Sequence, residues 1–479
     1  MPRLVRTRLS AMMFLFYAGL GAWAVTASTF LLSSPIKGGL NFTTGEVGWI
    51  YSTFALGAML ANPFVGLLAD RLFRAERVFA VGSLGCAAFL FASAWWCQTN
   101  VPVIEDVYRT VAAEVMPAGG PDLATVAAMP KDEVPEATKL ALDRVNDDPR
   151  MRAAAGGVFW PLFGLMLAQA VCLQVAMPLC TVITLRNLPD PSHQFSRTRL
   201  FGTVGWIAVG LLMGFVLDPV SAEPFYLAGL IALAHAVYGL TLIPPTPPKG
   251  HGKSLAESFG LPAFGLFKDR SFVAFILVAL LLSQMNQFYG VYGHRFLTDA
   301  GFHKPERWMT IGQVIEVGCM FAIPLLKPKR TMKWLMLLGA AGGAVRGAAM
   351  AWGPDWLILG LGVPMHGWSF AFYFVVAATF IDREAPPHLR ASAQAIVAFV
   401  AGGVGPLTGN LMAAAVVDHY RTGTVIDWDA VWVVPLIGCA AAAAAFAVWF
   451  RTPTESMVER AVPKTRDHKS ATEIAPIAG

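Results

Sequence analysis

Charged side chains are scarce: Asp, Glu, Lys and Arg make up 14% of the 479 residues, against about 25% in soluble domains. A chain that is also 56% hydrophobic, with a mean hydropathy of +0.55, lacks the charge to clothe a water-facing surface and reads as a polytopic membrane protein. Cysteine is sparse too. Of six cysteines, Cys86, Cys172, Cys180, Cys319 and Cys439 lie within apolar runs and Cys97 ends one. No CxxC or Cys/His spacing occurs, which argues against a disulfide framework and against a zinc site. HExxH and GxSxG are missing, and no His/Asp ligands cluster in the apolar runs, so the chain is expected to be no enzyme and to hold no metal or cofactor. The formal charge of +5 resides in short loops between apolar runs, which is no nucleic-acid signature.

What the chain does have is long apolar runs. They fall near 11–32, 44–68, 78–97, 155–185, 200–218 and 223–243, then near 271–291, 308–326, 332–351, 355–381, 390–413 and 428–450. That predicts an all-α integral membrane protein of about twelve spans. The first run follows Arg3, Arg6 and Arg8 and resembles a signal peptide, but it exceeds the usual apolar core of about 7–15 residues and is better read as a span. Pro244-Pro-Thr-Pro-Pro-Lys-Gly-His-Gly-Lys253 breaks any helix between the two sets. The reading is therefore a bundle over 1–243, a linker over 244–270, a second bundle over 271–451 and a tail over 452–479. Six plus six around a linker suggests the repeated halves of a secondary transporter.

Lys/Arg bias sets the orientation. Arg71, Arg74 and Arg77, then Arg186 and Arg197, then Lys249, Lys253, Lys268 and Arg270, then Lys327, Lys329, Arg330 and Lys333 mark alternate loops, which places both termini in the cytoplasm. Arg295, Lys304 and Arg307 run against the pattern. The segment 98–154 is long for an outer loop, and its acids, among them Glu105, Asp106, Asp132 and Glu133, outweigh its bases. It is read as a small helical cap with Pro135 at a helix start; a dedicated binding module, or an acidic collector of cationic solutes, are weaker readings.

One run carries a carboxylate. In Thr310-Ile-Gly-Gln313-Val-Ile-Glu316-Val-Gly-Cys319 the amide of Gln313 and the acid of Glu316 share a helix face. A mid-span carboxylate costs about 2.5–3.5 kcal/mol on insertion scales, so it normally meets a water-filled cavity or a partner. A hydrogen-bonded helix contact is the plainer alternative. Arg199, Thr203 and Trp206 also fall on one face, at i, i+4 and i+7; an anchoring arginine beside Arg197 would account equally for Arg199. Arg346 reads as a snorkelling anchor or a structural pair partner, and His294 and His303 as solvated loop residues.

Gly66-Leu-Leu-Ala-Asp70-Arg71-Leu-Phe-Arg74 resembles the signature loop of the major facilitator superfamily, with a degenerate copy at Leu325–Lys333. Within it, Arg199-Leu-Phe-Gly202-Thr203-Val-Gly205-Trp206, Gln313-Val-Ile-Glu316 and Leu389-Arg390-Ala-Ser-Ala-Gln394, with weaker support from Gly21-Ala-Trp23 and Trp428-Asp-Ala-Val-Trp432, resemble the bacterial nucleoside:proton symporter family. The resemblance implies a substrate site of Arg199, Thr203, Trp206, Gln287, Gln313, Glu316, His366 and Phe370. Glu316 would carry the proton, and Asp70, Arg71 and Arg74 would act in the conformational switch, with Asp70 accepting from a neighbouring helix N-terminus. Arg199 would pair with Glu316 when the site is empty. The implied partners are a small solute, a nucleoside, together with protons and the bilayer, in a monomer of the bacterial inner membrane. Gly290, His366 and Ala371 depart from the family pattern. His366 would add a group titrating near neutral pH. A sugar-like solute, or a non-transporting receptor, are the alternatives.

Overall fold

The computed structural model describes residues 2–129, 133–248, 254–326, 329–386, 388–423 and 425–450. The predicted tail, Lys131, Asp132, Lys249, Lys253 and Lys327 lie outside the described residues. Among the described residues, eleven helices are long and apolar enough to cross a membrane. The helix Pro305–Ala322 is not among them, since it carries Glu306, Arg307 and Glu316 over only 18 residues. About twelve spans were expected, and eleven meet that measure.

Packing repeats helix by helix. Pro2–Ala24 packs on Pro191–Val216 and Glu223–Thr241, as Arg270–Asp299 packs on Gly405–His419 and Trp428–Trp449. Ala75–Val115 lies against Pro149–Asn187 and Glu223–Thr241, as Lys329–Trp352 lies against Pro364–Ser369 and Trp428–Trp449. Pro305–Ala322 takes against Pro364–Ser369 the place that Thr44–Leu67 takes against Pro149–Asn187. Between the halves, Thr44–Leu67 meets Gly405–His419 and Pro191–Val216 meets Pro305–Ala322. These cross-contacts are mirror copies of one another under the same repeat.

The helices start and bend for local reasons. Thr43 and Glu46 form a reciprocal cap, with Glu46 N–H donating to Thr43 Oγ1 at 3.2 Å and Thr43 N–H to Glu46 Oε2 at 2.7 Å. Wide helical turns occur in three spans, at Leu68–Leu72, at both Ile358–Gly362 and Phe370–Val375, and at Val400–Val404; such irregular backbone at depth is tolerated where it meets protein or a water-filled cavity. The segment 98–154 is less of a loop than expected. Ala75–Val115 runs 41 residues, well past the predicted end at 97, and short helices Leu123–Ala128 and Glu136–Asp147 lead into Pro149–Asn187. Pro135 is the residue before the Glu136 helix, and Pro149 opens the next one at its first turn.

The two ends of the molecule differ. At the end holding Arg74, the linker and the N-terminal Val5 and Arg8, a cleft of about 1650 Å³ separates the halves. Tyr17, Asn62, Asp70 and Gln174 line it from one side, Gln394 and Phe399 from the other. The opposite end is sealed by contacts between halves. Thr29 Oγ1 lies 2.7 Å from His294 Nδ1, Tyr292 O–H donates to the Thr44 carbonyl at 3.1 Å, Thr44 O–H donates to Asp418 at 3.2 Å, and the Arg307 guanidinium donates to the Gly214 carbonyl.

Candidate functional site

Two of the predicted residues meet around a third that sequence reasoning missed. The Arg199 guanidinium lies 4.0 Å from the centre of the Tyr17 ring, a cation–π contact. Glu316 is half-buried, and both charges act on Tyr17. Arg199 also acts on Glu316 through space, but among the described residues no ion pair within 4.0 Å joins them. The pair expected for the empty site is therefore replaced by stacking on Tyr17. Tyr17 lines the cleft, with Arg199 stacked on its ring; neither Arg199 nor Glu316 is among the side chains that line the cleft itself.

Close helix approach carries Glu316 there. A methyl group at Gly367 would fall 1.9 Å from the Gly312 carbonyl oxygen and 2.5 Å from the Glu316 nitrogen, so the helices Pro305–Ala322 and Pro364–Ser369 touch backbone to backbone. Gly205 does the same for Pro191–Val216, since a Cβ there would lie 2.2 Å from the Phe14 carbonyl oxygen. Bare backbone at these two positions holds Arg199 and Glu316 in reach of Tyr17.

The other candidates are placed less uniformly. Gln313 is half-buried on the face of Glu316. Thr203 is buried, and Trp206 packs its ring against Gly21 of the first span, 3.1 Å from where a Cβ would stand. Gln287 Nε2 donates to the Ser283 carbonyl at 3.2 Å and lies beside Gly409. Its neighbour Gln284 donates to Thr408 at 2.8 Å. A Cβ at Gly290 would meet only Gln287 Oε1, at 3.7 Å, so the space left by the missing side chain is open. Phe370 opens a wide turn, is 37% exposed, and has Phe374 as its ring neighbour at 5.7 Å.

His366 belongs to a cluster the sequence did not reveal. Its Nδ1 accepts from Arg346 Nη1 at 3.2 Å, and the same arginine nitrogen donates to Asn286 Oδ1 at 3.1 Å. The His366 ring stacks on Tyr289 at 4.6 Å, over which Arg346 also lies at 5.2 Å. With Nδ1 taken as an acceptor, the ring proton sits on Nε2. Further protonation would have to break the Arg346 bond, which is not the free titrating group expected. Arg346 is 2% exposed, so it does not snorkel; it is the structural partner of Asn286 and His366.

His294 is a correction as well. Arg270–Asp299 continues eight residues past the expected end at 291, and the reversal into Pro305–Ala322 brings Glu306 back beside it. His294 Nε2 lies 3.0 Å from Glu306 Oε2, and both side chains are buried. Spacing of twelve residues across a turn was the only available signal, and it is weak. His303 is exposed, as expected.

At the cleft mouth Asp70 takes an ion pair with Arg186, from the end of Pro149–Asn187, rather than a helix N-terminus. Arg74 pairs with Glu76 at 2.5 Å. Asp70→Asn is expected to slow transport severalfold while thermal unfolding moves little, because a partly exposed pair is worth about 0–1 kcal/mol. Uptake rates beside melting curves check this.

Two helical bundles with repeated packing, a cleft between them, and an arginine and a carboxylate near a cleft-lining tyrosine define a multi-pass secondary transporter of the major facilitator fold. Residues 4–118 and 150–455 match the family model described as nucleoside H+ symporter, and the chain belongs to that family. YegT of Escherichia coli strain K12 is 28% identical over 93% of this chain and 93% of its own length, and the xanthosine permease of the same strain 26% identical over 90% and 92%. The crystal structure of the nucleoside transporter NupG superposes with a TM-score of 0.70 at 21% identity, covering 94% of this chain and all of that one. The gap between the two matched segments, 119–149, holds the two short helices of the insertion.

Proposed function

We propose that the protein takes up nucleosides with protons across a bacterial cytoplasmic membrane by alternating access, with both termini inside and the two bundles, 1–243 and 271–451, rocking as units in a monomer. The observation that supports this reading is Tyr17 lining the inter-bundle cleft, with the Arg199 guanidinium 4.0 Å from its ring centre and the Glu316 charge near enough to act on both. In that orientation the cleft opens inward and the sealed end faces outward.

Each residue has a task that its chemistry allows. Glu316 loads a proton from outside and, as a neutral acid, donates and accepts hydrogen bonds with a ribose hydroxyl alongside Gln313 and Gln287. Arg199 favours release: once the inward cleft admits water, its charge stabilises the carboxylate left behind. Trp206 and Phe370, from opposite bundles, offer flat faces for the base, so closure around a bound solute is favoured over closure on an empty site. Phe370→Ala is expected to weaken apparent uridine affinity at least about fivefold, since base–aromatic stacking contributes about 1–3 kcal/mol. Little stability should be lost at a side chain 37% exposed. Concentration-dependent initial rates check the affinity, and melting curves the stability.

Uptake of labelled uridine and adenosine into vesicles with an imposed pH gradient tests the function. Accumulation that collapses when the gradient is removed is expected, and so is a fall in uptake as external pH rises. The open space beside Gly290 favours, as a second reading, a bulkier glycosylated solute; competition by sugars against uridine separates the two.

A further inference from the structure

Below the insertion, at the sealed end, lies a chamber of about 1490 Å³ that no step above uses. Although the insertion is acid-rich, five basic side chains line the chamber, Lys37, Lys139, Arg152, Arg295 and Arg421, against two acids, Asp147 and Asp299.

Both bundles supply these cations. Lys37 and Arg152 come from the first, Arg295 and Arg421 from the second. Arg295 is paired with Asp299 at 3.1 Å, and, in partly exposed contacts, Arg421 with Asp418 at 3.4 Å and Lys139 with Glu136 at 3.6 Å. Arg152 and Lys37 have no ion pair within 4.0 Å among the described residues. Glu46 and Asp147 act on Arg152 from farther off, and Arg421 opposes them. Partial burial first, and the Arg295 charge second, hold the Lys37 ammonium below the usual lysine range, with Asp299 offsetting part of this.

Donors are left unmatched at the same place. Asn41 is 7% exposed and its Nδ2 has no hydrogen-bond partner. Arg152 Nε is likewise buried without one, as is one acceptor, Asn146 Oδ1, while Arg152 Nη2 donates to the Asn41 carbonyl at 3.3 Å. Asn41 holds this position with a left-handed backbone, φ 53°, a conformation Asn adopts more readily than most side chains. An excess of cations together with unmatched N–H donors is the complement of an oxyanion.

We propose that this chamber is an anion site that takes phosphate, free or as a phosphate monoester, between Arg152 and Lys37 of one bundle and Arg295 and Arg421 of the other. The bound anion relieves repulsion between cations brought together only when this end is closed. By linkage, it therefore stabilises the state sealed here and open at the linker end. The site stands whichever solute the protein transports, so its test needs no transport.

Purified full-length protein in detergent is titrated calorimetrically with inorganic phosphate and with uridine 5′-monophosphate, at an ionic strength fixed with chloride. Saturable binding of either is expected, weakened at least tenfold in Arg152→Gln and in Arg421→Gln. The second variant is a partly exposed hairpin residue and guards against misfolding of the first. Tighter binding of the ester assigns the chamber to organic phosphates, and equal binding to the free ion. No heat beyond the chloride control, or equal binding in both variants, overturns the site. For the tie between bundles, Asn62→Cys, which lines the linker-end cleft, should react at least threefold faster with a water-soluble maleimide when phosphate saturates the site. Binding with unchanged labelling overturns the tie.

Discussion

Glu316→Gln is expected to abolish accumulation of nucleoside against a gradient while leaving equilibrating flux. A gradient of roughly two pH units supplies about 2.7 kcal/mol per proton, enough for about hundredfold concentration by a one-proton symporter. Glutamine keeps the volume and hydrogen-bonding capacity of the protonated acid but cannot shed a proton. The variant should therefore bind solute and let it exchange, with an internal-to-external ratio near one. Helix packing is not at risk, because the Glu316 backbone, and not its side chain, makes the tight contact with Gly367. Retention of pH-driven accumulation by the variant would remove Glu316 from coupling.

Gly367→Ala is expected to cost the largest amount of stability of any single methyl group near the site. The added carbon would lie 1.9 Å from one backbone atom and 2.5 Å from another, and backbone within a helix cannot step aside as a side chain can. Overpacking in a tight core costs about 1–3 kcal/mol and occasionally more; a clash with backbone on a packed helix belongs at the upper end. The helix bearing Glu316 would have to shift, so transport should fall with stability. Gly290→Ala is the control. It meets only Gln287 Oε1 at 3.7 Å, and alanine is favoured over glycine within a helix by about 1 kcal/mol. Melting curves in detergent should show a marked loss for the first and none for the second.

Much of the fold was legible because lipid enforces it. Long apolar runs have few alternatives to spanning helices, and the Pro-rich run at 244–248 follows the end of the helix Glu223–Thr241, as a helix breaker should. The helix Pro305–Ala322 shows the limit of that reading. Its charged residues lower its hydropathy for the same reason that they mark a site. Glu316 was readable singly, since a charge within an apolar run draws attention wherever it lies, whereas Arg199, just before its run, stood out only through the family resemblance. Their relation was not: Tyr17, nearly two hundred residues before Arg199, is an ordinary span aromatic until the fold sets one beneath the other. The Arg346–His366–Asn286 cluster and the His294–Glu306 contact were hidden likewise, because nothing in a sequence gives the rotation of one helix about its axis relative to the next. The basic chamber ran against the sign of its segment's composition, since the wall is built from side chains of both bundles and the composition describes only one loop.

The central claim, that Glu316 carries the proton which moves with the solute, is tested most directly by a pH electrode. Weakly buffered proteoliposomes of wild type and Glu316→Gln receive external uridine with no imposed gradient, and the external pH is followed. Alkalinisation on addition of uridine to wild type, and none for the variant although uridine still enters, is the result expected. An equal pH change in both would contradict it.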